Sequence, residues 1–289
     1  MKKMIGIACL VLLAGGAHAS VVNFTAAEGY SGDGSSWASR LDAQTPTTGS
    51  SWDETAGSGT GRFRVDSSAG AVHLDGDAGY NKAIYQEALS SSMTEYTVGM
   101  KFSFNRDSAQ LTTKANVIAV ELTEVASGGN RLAMQLERQP NANSGKYRLS
   151  FWENTGSVNT SGNAGWSDET VWGFADAADT TSDDLWLGMT LYRGADASSW
   201  MVSGVLSNML TGASVEMGTG VVGEFDTSSA YFTDDLYALM NSSNKDSEGN
   251  FSNRVVDQFS VTAIPEPATL GLIAGFGGAV LFIRRRFMM

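Results

Sequence analysis

YTVGMKFSF, residues 96–104, decides the fold class of this chain. Tyr96, Val98, Met100, Phe102 and Phe104 alternate with Thr97, Gly99, Lys101 and Ser103. Successive side chains of an extended strand point to opposite faces, so a period of two gathers five apolar groups on one side and leaves the other side polar. A helix would scatter the same residues around its circumference. Leu132, Met134 and Leu136 repeat the pattern against Arg131, Gln135 and Glu137, and Tyr147, Leu149 and Phe151 repeat it against Arg148, Ser150 and Trp152. Residues 139–145, rich in Pro, Asn and Gly, form the expected hairpin connection between those two strands.

Working outward, the same reading predicts strands over 21–25, 61–66, 71–74, 82–88, 116–124, 169–174, 185–192, 199–205, 220–224, 230–236 and 254–261, and a short helical turn over 206–211. Gly, Ser, Thr, Asn and Asp are abundant in the long central region while proline is scarce, which suits many turns. Roughly a dozen strands without helical crossovers predict an all-β domain of two packed antiparallel sheets.

The strand at 96–104, the pairs 131–138 with 146–153 and 185–192 with 199–205, and the closing Val256-Asp257-Gln258-Phe259-Ser260-Val261 together resemble concanavalin A-like or laminin G-like jelly-roll sandwiches. The resemblance is one of pattern and order over residues 20–262. It implies a β-sandwich in which glycan contact and structural calcium are common. A β-helix is disfavoured because no short repeat of fixed period is visible.

Both ends of the chain read as addresses. Lys2 and Lys3 precede an apolar run over 4–14, and Ala17-His18-Ala19 has the small-x-small form expected before cleavage at Ser20, so 1–19 reads as a signal peptide. Cys9, the only cysteine, lies inside it, so the mature domain at 20–262 is expected to stand without a disulfide. At the other end, Pro265-Glu266-Pro267 is followed by an uncharged apolar stretch, 268–283, and by Arg284-Arg285-Arg286. As a helix that stretch would be about 24 Å long, and arginine stems reaching toward the interface would help it cross a hydrocarbon core of ~30 Å. The cationic end belongs in the cytoplasm and everything before Pro265 outside.

Within the tail segment 263–289, residues 264–289 resemble the PEP-CTERM sorting signal of Gram-negative bacteria, in which a Pro-Glu-Pro motif, a hydrophobic segment and a basic cluster occur in this order. The resemblance implies translocation, anchoring of the tail in the inner membrane, and processing by an exosortase-type protease. The expected destination is the cell surface or extracellular matrix, in association with exopolysaccharide. Pro265, Glu266, Pro267, Arg284, Arg285 and Arg286 are then recognition residues rather than catalysts.

The chain carries a net charge of −12. With Lys2, Lys3, the three terminal arginines and Glu266 set aside, 14 basic and 30 acidic residues leave the domain at −16, a surface that repels nucleic acid. Catalytic chemistry finds few residues. His18 leaves with the signal, His73 sits between Val72 and Leu74 as an ordinary strand position, and no thiol survives processing. The Glu-x-Asp-x-x-Glu strand motif of laminarinase-like hydrolases is absent, and Asp183-Asp184 and Asp234-Asp235 are neighbours whose side chains diverge on a strand.

Two binding features stand out instead. Asp75 and Asp77 flank a glycine after the strand at 71–74, a turn that offers oxygen ligands to structural calcium, with Asp257 as a further carboxylate. Trp152, Trp166 and Trp172 bracket the polar loop 154–168, where a flat indole is suited to stack on a sugar ring. Trp152 faces outward if Leu149 and Phe151 face the core. Trp186 and Trp200 read as core or second-face residues, and Trp37 and Trp52 as pins for the long loop 29–61. The leading expectation is a non-catalytic surface or matrix protein with weak glycan contact; a dedicated carbohydrate-binding module or a polysaccharide hydrolase of concanavalin-like fold is the alternative.

Overall fold

The computed structural model describes residues 17–54, 63–74, 79–105, 115–124, 131–138, 146–153, 156–157, 167–168, 181–193, 200–221, 235–244 and 254–265. These residues form two eight-stranded antiparallel sheets, as the alternation predicts. Numbered in chain order, sheet A runs β14 (Ser214–Val221), β13 (Trp200–Asn208), β12 (Leu185–Arg193), β6 (Met93–Phe104), β16 (Arg254–Pro265), β4 (Ala71–Leu74), β3 (Phe63–Asp66), with β1 (His18–Val22) also paired to β16. Sheet B runs β10 (Gly156–Ser157), β9 (Lys146–Glu153), β8 (Arg131–Arg138), β7 (Ala115–Thr123), β15 (Tyr237–Asn244), β5 (Gly79–Tyr85), β2 (Trp52–Asp53), with β11 (Ser167–Asp168) paired to β9. Helical structure among the described residues is limited to three 3-10 turns: Ala26–Glu28, Trp37–Ser39 and Leu41–Ala43.

The core lies between the sheets. Tyr96, Val98, Met100, Phe102 and Phe104 of β6 are fully buried, and they share the core with Leu132, Met134 and Leu136 of β8 and with Leu149 and Phe151 of β9. The two sheets approach so closely at β13 that a Cβ on Gly204 would lie 2.3 Å from the Met134 sulfur and 3.0 Å from Phe151 Cζ. The methionine tip can swing away; the phenyl ring in a packed core cannot. Gly204→Val is therefore expected to lower stability by about 1–3 kcal/mol through overpacking, measured as a lowered urea midpoint, while Gly204→Ala costs less.

Three expectations need correction or relocation. Residues 206–211 do not make a helical turn: β13 continues through Asn208, with Leu206 buried in strand alternation. Asn208 Oδ1 then accepts from the amides of Leu210 (2.9 Å) and Thr211 (3.0 Å), and Gly212 turns back at φ +74°. Asn and Gly supply the local geometry of a hairpin, and that outweighs the helical tendency of Leu206, Met209 and Leu210. The strand expected at 220–224 is β14 and starts at Ser214. Residues 230–234 of the strand expected at 230–236, and the strand at 169–174, lie outside the described residues; Leu236 makes an isolated bridge to Leu89, and β15, at Tyr237–Asn244, is a strand the alternation did not predict.

The ends of the domain meet. His18 of β1 lies opposite Ala263 of β16, and Val22 opposite Phe259, so the chain enters and leaves sheet A at the same end. Cleavage before Ser20 would keep Ser20, Val21 and Val22 paired with Val261, Ser260 and Phe259. Strand β16 runs through Pro265, which stands opposite Met93.

Candidate functional site: the polar face of sheet B

Each strand of sheet B that sends apolar residues into the core sends the intervening residues to the outer face, and on five adjacent strands these set polar side chains beside the buried Ala119, Ala133, Leu239 and Ile84. Cross-strand register aligns Ser150 of β9, Gln135 of β8, Ala119 of β7, Asn241 of β15 and Lys82 of β5 in one row. A second row aligns Trp152, Ala133, Glu121, Leu239 and Ile84.

Glu121 organises one half of this face. Its carboxylate accepts from Lys82 Nζ at 2.8 Å and from Asn241 Nδ2 at 2.9 Å, and Arg131 Nη1 stands 3.6 Å away. Glu137 organises the other half, accepting from Arg148 Nε at 2.6 Å and from Gln135 Nε2 at 2.9 Å, while Gln135 also donates to Ser150 Oγ at 3.0 Å. Both carboxylates are wholly buried, and buried charge is tolerated here because each is met by a cation and by amide donors. The accessible part of the network is its rim, where the side chains of Arg131 and Arg148 are 21% and 31% exposed.

Trp152 sits at that rim, facing outward, while Leu149 and Phe151 face the core as the alternation requires. Arg131 Cζ lies 4.1 Å from the centre of its ring, a cation–π contact that fixes the indole and occupies one of its two faces. Trp166 and Trp172 lie outside the described residues, as do Asp75 and Asp77. Asp257 is on sheet A, beside a register shift in β16, where Lys101 Nζ lies 3.4 Å from its carboxylate; burial pushes that carboxyl up and Lys101 opposes the shift. Among the described residues no group of three or more His, Cys, Asp or Glu is placed to hold a metal ion.

The acidic pairs are structural where they are described. Asp183 accepts from Asn208 Nδ2 at 2.8 Å, Asp184 pairs with Lys101 at 2.6 Å, and Asp235 accepts from the Ser91 amide at 3.1 Å. His73 is a partly exposed strand residue 4.0 Å from Asp66. Of the residues expected to form a sorting motif, Pro265 is the last described one, and Glu266, Pro267 and Arg284, Arg285 and Arg286 lie outside the described residues with the stretch 268–283. No described helix is long and apolar enough to cross a membrane.

Sequence reasoning singled out Trp152 as a candidate and passed over Glu121, Glu137, Lys82 and Asn241, which the structure places on the same sheet. Their signal was the polar half of each alternation, which in a single strand looks like a solvent face. Only the register across strands shows that these polar residues meet.

No protein-family model matches the chain, and no curated protein matches it in sequence. Its backbone is similar to the crystal structure of basic winged bean lectin with Tn-antigen, with a TM-score of 0.51 at 8% identity, covering 87% of this chain and 100% of that one. Weaker similarities are to the CBM2 module of evolved Dit from Lactobacillus casei BL23 phage J-1 (TM-score 0.47, 11% identity, 78% and 95% covered) and to the Ca2+/Man-bound exoplasmic/lumenal domain of VIP36 (0.44, 12%, 83% and 88%). At 8% identity the first of these shows the fold alone, a lectin-like jelly-roll sandwich.

Proposed function

We propose that this chain is an exported, non-catalytic glycan-binding sandwich of the cell surface or extracellular matrix. The observation that carries the reading is the outer face of sheet B, where two hydrogen-bonded clusters, Arg148, Gln135 and Glu137 on one side and Glu121, Asn241 and Lys82 on the other, lie beside Trp152, which Arg131 covers on one face. Sugars are bound by this combination: planar or charged groups that donate and accept in fixed directions, beside an aromatic ring that covers the apolar face of a pyranose. Glu121 and Glu137 are each committed to ion pairs, which supports a binding role over a pair of acid and base carboxylates. The lectin and carbohydrate-binding neighbours accord with this choice.

The route is part of the proposal. Segment 1–19 directs export, and 263–289 holds the chain in the inner membrane of a Gram-negative bacterium until an exosortase-type protease processes it. Pairing of His18 with Ala263 supports this arrangement, since both address segments then leave from one end of the domain. Exopolysaccharide is the expected partner, and structural calcium at Asp75 and Asp77 is a further part of the proposal.

A glycan array on the full chain in detergent, run with calcium and with EDTA and with a parallel depolymerisation readout, tests it. Binding without product is expected, with Trp152→Ala lowering affinity about tenfold, as loss of one stacking contact does. Loss of binding on chelation would place calcium in the site. Release of product would replace the binding reading with the hydrolase one, and binding unchanged in Trp152→Ala would move the site off sheet B.

A further inference from the structure

The opposite sheet carries a second aromatic surface, built differently. Gly99 of β6 and Gly188 of β12 are direct cross-strand partners in the interior of sheet A, and the β12–β6 ladder is regular there. Glycine in a strand interior forfeits conformational entropy and side-chain packing, and where no bulge explains it, it marks a close approach. What approaches is Trp186. A Cβ on Gly99 would lie 2.4 Å from its Cζ2, and a Cβ on Gly188 would lie 2.9 Å from its Nε1. The indole is laid flat across both strands, its inner face on a floor of two glycines. Side chains at either position would force it upright.

An indole in this pose turns its second face outward, and Trp186 is partly exposed. Among the described residues no aromatic ring or arginine stacks on it, in contrast to Trp152 and to Trp200, which is covered by Arg193 at 4.8 Å. Polar groups border the ring on two sides. Lys101, its cross-strand neighbour on β6, lies 2.6 Å from Asp184 and 3.4 Å from Asp257, and all three side chains are about a third to a half exposed. Gln258 of β16 continues that row. In the row beyond the glycines, the Thr97 and Thr190 hydroxyls lie 3.1 Å apart.

We propose that the outer face of sheet A at Trp186 is a second glycan site, which stacks one pyranose of a neutral polysaccharide. A flat apolar ring with hydroxyl, amide, ammonium and carboxylate groups at its edge matches a sugar whose hydroxyls are all equatorial: axial hydrogens meet the indole and hydroxyls radiate into the rim. One ammonium held between two carboxylates, on a chain of net charge −12, selects a neutral polymer over an acidic one. The geometry stands independently of the site at Trp152, on the other sheet.

Titration calorimetry of the full chain in detergent with cellohexaose, a neutral all-equatorial hexasaccharide, tests the proposal, with hexagalacturonate as the acidic control. Trp186→Ala is expected to lower the number of bound hexasaccharides by one, whatever Trp152→Ala does, and hexagalacturonate is expected to bind at least about tenfold more weakly. In the unmutated chain, cellohexaose should protect Trp186 from oxidation by N-bromosuccinimide, read by peptide mass spectrometry. That readout decides the matter if Trp186→Ala does not fold. An unchanged stoichiometry in a folded Trp186→Ala, or oxidation of Trp186 at the same rate with and without cellohexaose, overturns the proposal. Stoichiometry lowered by Trp152→Ala alone would do the same while leaving the sheet B site standing. Loss through Trp186→Ala alone would sustain this site and remove the other.

Discussion

Trp52→Ala is expected to lower the unfolding free energy by about 3–5 kcal/mol, the range for removing a buried large aromatic. Trp52 is 3% exposed on a two-residue edge strand, yet its ring joins three parts of the molecule. It stands 5.1 Å from Tyr85 of sheet B, 5.1 Å from Phe259 of sheet A and 5.9 Å from Phe24 at the start of the long N-terminal loop. Its Nε1 donates to Tyr30 Oη at 3.0 Å, and burial pushes the Tyr30 phenol up, so this hydroxyl stays a neutral acceptor across the range in which proteins are studied. Alanine removes the ring contacts and strands the hydroxyl together. Trp52→Phe should recover most of the packing and lose chiefly the hydrogen bond, worth about 1 kcal/mol. Urea denaturation of the three proteins checks this; a Trp52→Ala loss below about 1 kcal/mol would show that the loop is held elsewhere.

The second large effect is expected at Arg254, a wholly buried residue of β16. Its Nη1 donates to Val117 O at 2.9 Å and to Ser242 Oγ at 2.5 Å, both on sheet B, so a side chain of one sheet is tied to two strands of the other through the core. Burial pushes the guanidinium down only to about 10, so Arg254 is a charged group inside the sandwich at neutral pH. Arg254→Ala opens a cavity and withdraws the donor from Val117 and Ser242, and should cost about 3–5 kcal/mol. Arg254→Met fills the space without a charge to desolvate and should recover at least half of that loss, since buried ionic groups are often replaceable by apolar ones of similar volume. Thermal and urea unfolding of both variants checks the pair. Methionine as costly as alanine would mean that the hydrogen bonds, rather than the volume, hold the sheets together.

These two residues also mark what was legible beforehand. Trp52 stood out as the large aromatic in a Ser, Gly and Thr-rich segment, and its role as a loop pin follows from that contrast. Strands β6, β8, β9, β12 and β13 were legible because one face is apolar and the other is not. Arg254 was read as the first residue of a strand with no hint of burial, because only the opposite sheet supplies its acceptors. Strand β15 was missed for a related reason: Asn241, Ser242, Ser243 and Asn244 read as loop chemistry, whereas Asn241 is spent on Glu121 and Ser242 on Arg254. The flat pose of Trp186 was equally hidden, since Gly99 and Gly188 are 89 positions apart in sequence and become neighbours only through the β6–β12 register.

The pairing of β1 with β16 has a mechanical side. Strand β16 is bonded along β6 from Arg254 to Pro265 and flanked by β4 and β1, and the segment after Pro265 continues from its last residue. A pull along the axis of β16 would load its backbone bonds to β6 together in shear instead of parting them one after another like a zip. Under the surface role proposed above, such a load would fall on one of the most extensively paired of the described strands.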